Sequence, residues 1–261
     1  MDTGFDPRIE PIQINRYPVL DSTNEEAKRL ALAGETGPLW IMAARQTSGR
    51  GRRGRRWRSP AGNLYATGLY HWDGPLAASA QLGFAAALAA VQALDAWLNK
   101  ASSITIKWPN DVLVGPAKIA GILLESGAAP GAGHWLAIGI GINIAAAPQG
   151  LPYPATALAA HMTEGARAPS PQAVLERVVD AFETWRQHLQ RDGFAPLRTA
   201  WLSRAHGLGK PLRTSAGQSG VFTDLSSGGA LVLRQPGGQS IEISAGEVFF
   251  VGEEKPDAAG H

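Results

Sequence analysis

RQTSGRGRRGRRWRSPAGNLY, residues 45–65, decides between two architectures. Within it, Gly49-Arg50-Gly51-Arg52-Arg53-Gly54 fits G-x-G-x-x-G, the glycine pattern of a dinucleotide-binding turn. Asp73 even stands near the distance at which that fold keeps its ribose-binding acid. That reading requires a helix directly after the glycines. Here Trp57, Pro60 and Gly62 follow, and then a strand-like run, NLYATGLYHW, so no helix starts. The glycines therefore belong to an arginine-rich loop between strands. Residues 45–58 hold seven arginines and no acid; the remaining chain carries 17 basic against 22 acidic residues, a net of −5. Such a loop attracts phosphate, carboxylate or nucleic acid. Without an anion, repulsion among its unpaired arginines and its glycine content predict that residues 47–57 are mobile.

Upstream of the loop, IQINRYP (12–18) and LWIMAAR (39–45) read as strands. Between them DSTNEEAKRLALAG reads as a helix, with Ala27, Leu30 and Leu32 as its apolar positions and Gly34 as its stop. Downstream, residues 76–100 form an alanine-rich helix bearing Leu82, Phe84, Leu88, Val91, Leu94 and Leu98, with so few charges that it is buried on more than one side. Three further strands follow: SITIKW, KIAGILLES and WLAIGIGINI. Ser170-Pro171 supplies an N-cap and a first-turn proline for a helix whose face carries Val174, Val178, Phe182, Trp185 and Leu189. A short helix over about 195–205 comes next. From Gly207, short β-like runs alternate with glycine-rich turns every ten residues or so, the texture of a small barrel. The fold class is α+β: a central mixed β-sheet carrying helices, over residues 1–206, then a small SH3-like β-barrel over 207–252 and a disordered tail, 253–261.

The 261 residues are 44% apolar and 18% charged, which excludes a disordered chain. Cysteine is absent, which excludes disulfides, a thiolate nucleophile and a cysteine zinc site. None of the six histidines shows metal-ligand spacing, so no metal held by protein ligands is expected. No apolar run is expected to reach the ~18 residues that span a bilayer. The N-terminus lacks the basic and apolar regions of a signal peptide, so a cytoplasmic location is expected, without membrane contact.

Four other segments bear chemistry. Asp21-Ser22-Thr23-Asn24 opens the first helix, and Ser22 with Glu25 alone reads as a capping box. Lys107-Trp108-Pro109-Asn110-Asp111 ends a strand and Lys118-Ile119-Ala120-Gly121 begins the next; a lone lysine there is usually solvated. Gly139-Ile140-Gly141-Ile142-Asn143 closes a strand with two glycines, a sign of close backbone approach. Together with the arginine loop, in this order and spacing, DSTN, KWPNDVLV, KIAGILLES and GIGINI resemble the biotin protein ligases over about residues 16–145. The small barrel resembles that family's C-terminal domain. The resemblance implies a class II synthetase-like catalytic domain, and ATP-dependent ligation of biotin to a lysine of a biotin carboxyl carrier protein through biotinyl-AMP. Only about 15 residues precede the first strand, so a form without a DNA-binding repressor domain, and no DNA partner, is expected. Homodimerisation stays open. A lipoate or octanoate ligase of related fold is the second reading, and a nucleic-acid module using the arginine loop is the third.

The resemblance also assigns residues. Biotin falls to Ser22, Thr23, Asn24, Gln46, Gly49, Arg50, Gly51, Arg52, Lys118, Gly121 and Gly141. ATP or the adenylate falls to Arg50, Arg52, Arg53, Trp57, Asn110, Lys118 and Asn143. Magnesium arrives with ATP. Bringing a carboxylate against an α-phosphate sets like charges together, and preorganised cations offset that repulsion. Lys118 is compact enough to touch both, and Arg50 and Arg52 offer forked donors to phosphate. Asp111 orients Lys118 or helps hold magnesium; Lys118, Arg52 and Asp111 are the catalytic candidates. Gly121 and Gly141 leave room for the ligand, and Trp57 and Trp108 are either nucleotide walls or core aromatics.

Overall fold

The computed structural model describes residues 12–99 and 101–250. The tail assigned to 253–261 and the 252 boundary lie outside them. The main sheet has seven strands in the order β1-β2-β3-β7-β6-β5-β4. They are β1 (Gln13–Tyr17), β2 (Leu39–Ala43), β3 (Leu64–Trp72), β4 (Ile104–Lys107), β5 (Asp111–Val114), β6 (Ala117–Ala128) and β7 (His134–Ile142). Among the described strands of this sheet, β1 and β2 pair in parallel and every other ladder is antiparallel, so the sheet is mixed and not doubly wound. β5 had no separate place in the sequence reading: its four residues, DVLV, close the KWPNDVLV motif and show too short an alternation to stand out as a strand.

Side-chain parity along these strands builds two layers. Leu39, Ile41, Leu69 and Ala137 face α1 (Thr23–Leu32) and pack with its Ala27 and Ala31. Leu32, assigned to the apolar face, is 56% exposed, and Ala31 takes its place. The opposite residues, among them Trp40, Tyr70, Leu136, Ile138 and Ile140, meet a larger core. That core is supplied by α3 (Gln81–Asp95), α4 (Pro171–Asp192) and α5 (Phe194–Leu202), with the short α2 (Leu76–Ser79) preceding α3. Ser170 Oγ accepts from the Ala173 N–H at 3.1 Å, with Pro171 in the first turn, as expected. Leu76–Asp95 is, against expectation, long and apolar enough by composition to cross a membrane. Eleven of the 15 residues of α3 are buried, which explains its composition as that of a core helix.

A second, antiparallel sheet follows: β8 (Pro211–Thr214), β9 (Ser219–Leu225), β10 (Leu231–Arg234), β11 (Ser240–Ile243) and β12 (Val248–Phe250), in the order β11-β10-β9-β8-β12. It is consistent with an SH3-like domain. Its Leu212, Phe222, Leu225, Leu231 and Leu233 belong to the same hydrophobic cluster as α3 and α5.

Candidate active site

The α1 side of the main sheet carries the site. Register places Tyr65 of β3 and Gly121 of β6 opposite Gly141 of β7, and Thr67 and Leu123 opposite Gly139. These alternate residues form a floor. The N-terminus of α1 and the arginine loop wall it in, enclosing a cavity with about 60 Å³ free. Ser22, Thr23, Asn24, Gln46, Arg50, Gly51, Arg52, Trp57, Asn110, Lys118, Gly121 and Gly141 line it, so distant segments converge as the motifs implied.

Ser22 is the N-cap of α1 by its backbone, and its side chain makes no capping bond, so the capping-box reading fails. Ser22 as a residue is only 3% exposed, and it lines the cavity instead. Thr23 donates from its backbone N–H (2.8 Å) and hydroxyl (3.2 Å) to Gln46 Oε1, which turns the Gln46 amide. Asn24 Nδ2 donates to Glu125 Oε2 at 2.8 Å, and Asn24 Oδ1 accepts from Thr67 Oγ1 at 2.7 Å. A Cβ on Gly139 would lie 2.2 Å from Asn24 Oδ1, so glycine is needed there to admit the amide. Gly121 and Gly141 do line the cavity, but they seat neighbours as well: a Cβ on Gly141 would lie 2.6 Å from the Trp57 indole, and one on Gly121 3.1 Å from Trp57 and from Lys118 Cε. Trp57 Nε1 is buried there without a partner.

A second cavity of about 400 Å³ lies beside the first, toward β12. Arg52, Arg55, Asn110, Lys118 and Tyr153 line both. Lys118 Nζ sits 2.7 Å from Asp111 Oδ1, 5.4 Å from the Trp57 ring centre and 5.5 Å from that of Tyr153. Asn110 Nδ2 donates to Ile122 O at 2.6 Å. Arg52 is partly buried, and among the described residues its guanidinium bonds only to neutral oxygens, Asn110 Oδ1 and Gly246 O, both at 3.4 Å. Burial first, then the Arg53 charge, lower its pKa from the ordinary arginine value. A desolvated cation with neutral partners is primed for an anion.

The loop does not carry unpaired charge throughout, a correction to the sequence reading. Arg50 pairs with Glu25 of α1 and with Glu125 of β6, and Arg55 pairs with Glu247 beside β12 at 2.6 Å. The acids come from segments far away in sequence. Gly49 lies beneath the loop, where a Cβ would meet Gln46 Nε2 and the Trp57 carbonyl at 2.8 Å each. A single 3-10 turn, Arg52–Gly54, stands where a dinucleotide fold would start its helix.

Besides Gly49, two assigned residues, Arg53 and Asn143, line neither cavity. Arg53 is exposed at φ 57° in that turn. Asn143 is buried, with its amide donating to Thr156 O at 3.0 Å and its oxygen 3.5 Å from Asn63 Nδ2. Trp108 is both core and wall: it is 4% exposed, donates to Gly229 O at 3.3 Å and lines the second cavity. Tyr65, Thr67, Glu125, Tyr153 and Glu247 were missed. Strand parity would have found the first three, whereas nothing local marks the last two. Among the described residues no group of three or more His, Asp or Glu could hold a metal.

This sheet, with a cation-walled double cavity on one face, defines a protein ligase of the biotin and lipoate type: the model of the biotin/lipoate A/B protein ligase family matches residues 17–143. The model of the biotin protein ligase C-terminal domain matches residues 213–251. The biotin–[acetyl-CoA-carboxylase] ligase of Paracoccus denitrificans is 46% identical over 89% of this chain and 98% of its own length. The bifunctional ligase/repressor BirA of Bacillus subtilis is 33% identical over 76% of this chain but only 61% of its own length. Among solved structures, the Aquifex aeolicus biotin protein ligase in complex with biotin and ATP superposes with a TM-score of 0.76 at 26% identity, covering 91% of this chain and 97% of that one. The chain belongs to the biotin protein ligase family and is a ligase.

Proposed function

We propose that this chain activates biotin with ATP and transfers it to a lysine of a biotin carboxyl carrier subunit of acetyl-CoA carboxylase. The observation that carries this reading is the pair of cations, Lys118 and Arg52, on the wall shared by the two cavities. The first cavity offers what a neutral ureido ring needs: the Ser22 hydroxyl, the Gln46 amide and an apolar surface at Trp57. The second, larger cavity takes the nucleotide. In the first step a biotin carboxylate oxygen attacks the α-phosphorus and pyrophosphate leaves. Lys118 and Arg52 offset the repulsion between the two anions. Asp111 holds Lys118 in place, and magnesium would arrive with the triphosphate, where Asp111 and Glu247 are the carboxylates lining the second cavity. In the second step a neutral lysine amine attacks the acyl carbon and AMP leaves. Arg50, Arg53 and Asn143 keep secondary parts: Arg50 through its carboxylate partners, Asn143 through the buried network behind the floor, and Arg53 from outside.

Biotin-dependent exchange of labelled pyrophosphate into ATP tests the reading. The wild-type chain supports exchange, and Lys118→Ala loses it by at least 100-fold with an unchanged melting temperature. Exchange driven by lipoate or octanoate instead would favour the other branch of the family. A folded Lys118→Ala chain with full exchange would overturn the role of Lys118.

A further inference from the structure

Six of the seven loop arginines fall into two sets, and the seventh, Arg53, stands exposed in the 3-10 turn. Arg50, Arg52 and Arg55 turn inward onto carboxylates or carbonyls from α1, β6 and the second sheet. Arg45, Arg56 and Arg58 line a separate groove of about 350 Å³ on the outer side of the loop. All three are exposed, and among the described residues none makes an ion pair; Arg58 donates only to the Gln149 carbonyl. The chain outside residues 45–58 carries net −5. Leaving three clustered guanidiniums without a carboxylate is therefore no consequence of acid scarcity.

The groove adjoins the mouth of the catalytic cavity, since Gln46, Arg56 and Trp57 line both. Beside it the Leu20 N–H donates to the Arg45 carbonyl at 3.1 Å, and the preceding Val19 is 51% exposed. A cationic groove with an apolar contact at its edge thus borders the opening through which the second substrate must come. That substrate presents a lysine. A surface centred on an amine would be repelled by three guanidiniums unless the ground around it is acidic.

We propose that the Arg45–Arg56–Arg58 groove docks an acidic surface of the acceptor protein, next to its target lysine. This proposal rests on the ligase reading above. The groove acts only in the second half-reaction: it speeds encounter and sets the acceptor's orientation, and plays no part in adenylation. A nucleic acid is the other polyanion such a groove could meet. The acidity of the remaining chain disfavours it, because a phosphate backbone extending past the groove would cross negative ground.

The test separates the half-reactions in the full chain. Arg45→Glu/Arg58→Glu is compared with Arg45→Lys/Arg58→Lys and wild type, by biotin-dependent pyrophosphate exchange without acceptor, and by transfer to a biotin carboxyl carrier domain at several salt concentrations. Expected is exchange within twofold of wild type, an acceptor KM raised about tenfold or more, and a flattened salt dependence of transfer. The lysine variant retains most of the wild-type acceptor KM. An unchanged acceptor KM and salt slope in the glutamate variant would overturn the proposal. So would an equal loss of exchange and transfer, or loss of duplex DNA or RNA retention on a filter with acceptor KM unchanged. Absence of exchange in the wild-type chain would overturn the ligase reading, and this proposal with it.

Discussion

Asp21 stands one residue before the cavity-lining Ser22, and its carboxylate is gripped twice by Arg29, at 2.8 and 2.9 Å, while also accepting from the Ser22 N–H at 2.7 Å. The Arg29 bonds, more than the helix entry, lower its pKa from 3.8 to about 2. A carboxylate depressed in the folded state adds stability above its unfolded pKa and loses it as the pH falls through the folded one. Asp21→Asn should therefore lower the melting temperature by a constant amount above about pH 4. The gap to wild type should close between about pH 4 and about pH 2. Calorimetry across that range checks it, and a gap that widens toward acid would refute the assignment. The gain is modest because the pair is close to half exposed. Its functional consequence is positional: the same bonds set the entry of α1 and so the aim of Ser22 and Thr23.

At the scale of the element, the arginine loop is a strap tied at three points. Glu25 and Glu125 hold Arg50, Glu247 holds Arg55, and Asn110 with the Gly246 carbonyl holds Arg52. Arg52 and Arg55 both line the two cavities, and of the two Arg52 is the one held by neutral oxygens instead of a carboxylate. Arg52→Gly should weaken retention of the activated intermediate more than its formation, because Lys118 remains to offset the anionic repulsion. The glycine also widens the unfolded freedom of the loop. Loss of a charge-assisted contact of ~1.5–3 kcal/mol corresponds to roughly 10- to 150-fold weaker retention. Escaped biotinyl-AMP acylates exposed amines, so streptavidin blotting of a mixture with albumin should show labelled albumin. An unlabelled albumin, with ATP and biotin still consumed, would remove Arg52 from the gate.

At the scale of the whole molecule, the two sheets share one core. Phe84 of α3 packs edge-on to Phe194 and Trp201 of α5, at 5.4 and 5.5 Å, and the backbone of Gly229 in the second sheet comes close to the same ring. Trp108 donates to Gly229 O, Gln81 to Ser227 O and Arg198 to Leu225 O across the same boundary. A chain ending at residue 206 would expose this apolar face. It should aggregate or lose its cooperative thermal transition. A soluble 1–206 fragment melting cooperatively near the wild-type temperature would show that the second sheet is a detachable cap. The same boundary carries Glu247 to Arg55, so the second sheet contributes directly to the strap over the cavity.

The sequence by itself marked every long element, because periodicity, caps and breakers act within a few residues, though the helix expected over 76–100 is divided into α2 and α3 and ends at Asp95. Pro60 and Gly62 ruled out a helix after the glycines, Ser170-Pro171 opened α4, and the alternation of NLYATGLYHW declared a strand. It also carried the family resemblance and singled out the α1 entry, Gln46 and Lys118, which line the cavity, since these lie in contiguous motifs. Only the tertiary structure decided how charge is partitioned. Seven arginines without a neighbouring acid read as one repelling cluster, yet Glu25 of α1, Glu125 of β6 and Glu247 beside β12 pair with two of them. Likewise Ser22 read as a cap until folding brought Gln46 and the β3 and β7 floor against it and left its hydroxyl for the cavity. Tyr153 joins Lys118 only because the chain after β7 returns alongside β6. Electrostatic and ring contacts depend on distance in space, and no local pattern encodes which remote carboxylate or ring will arrive.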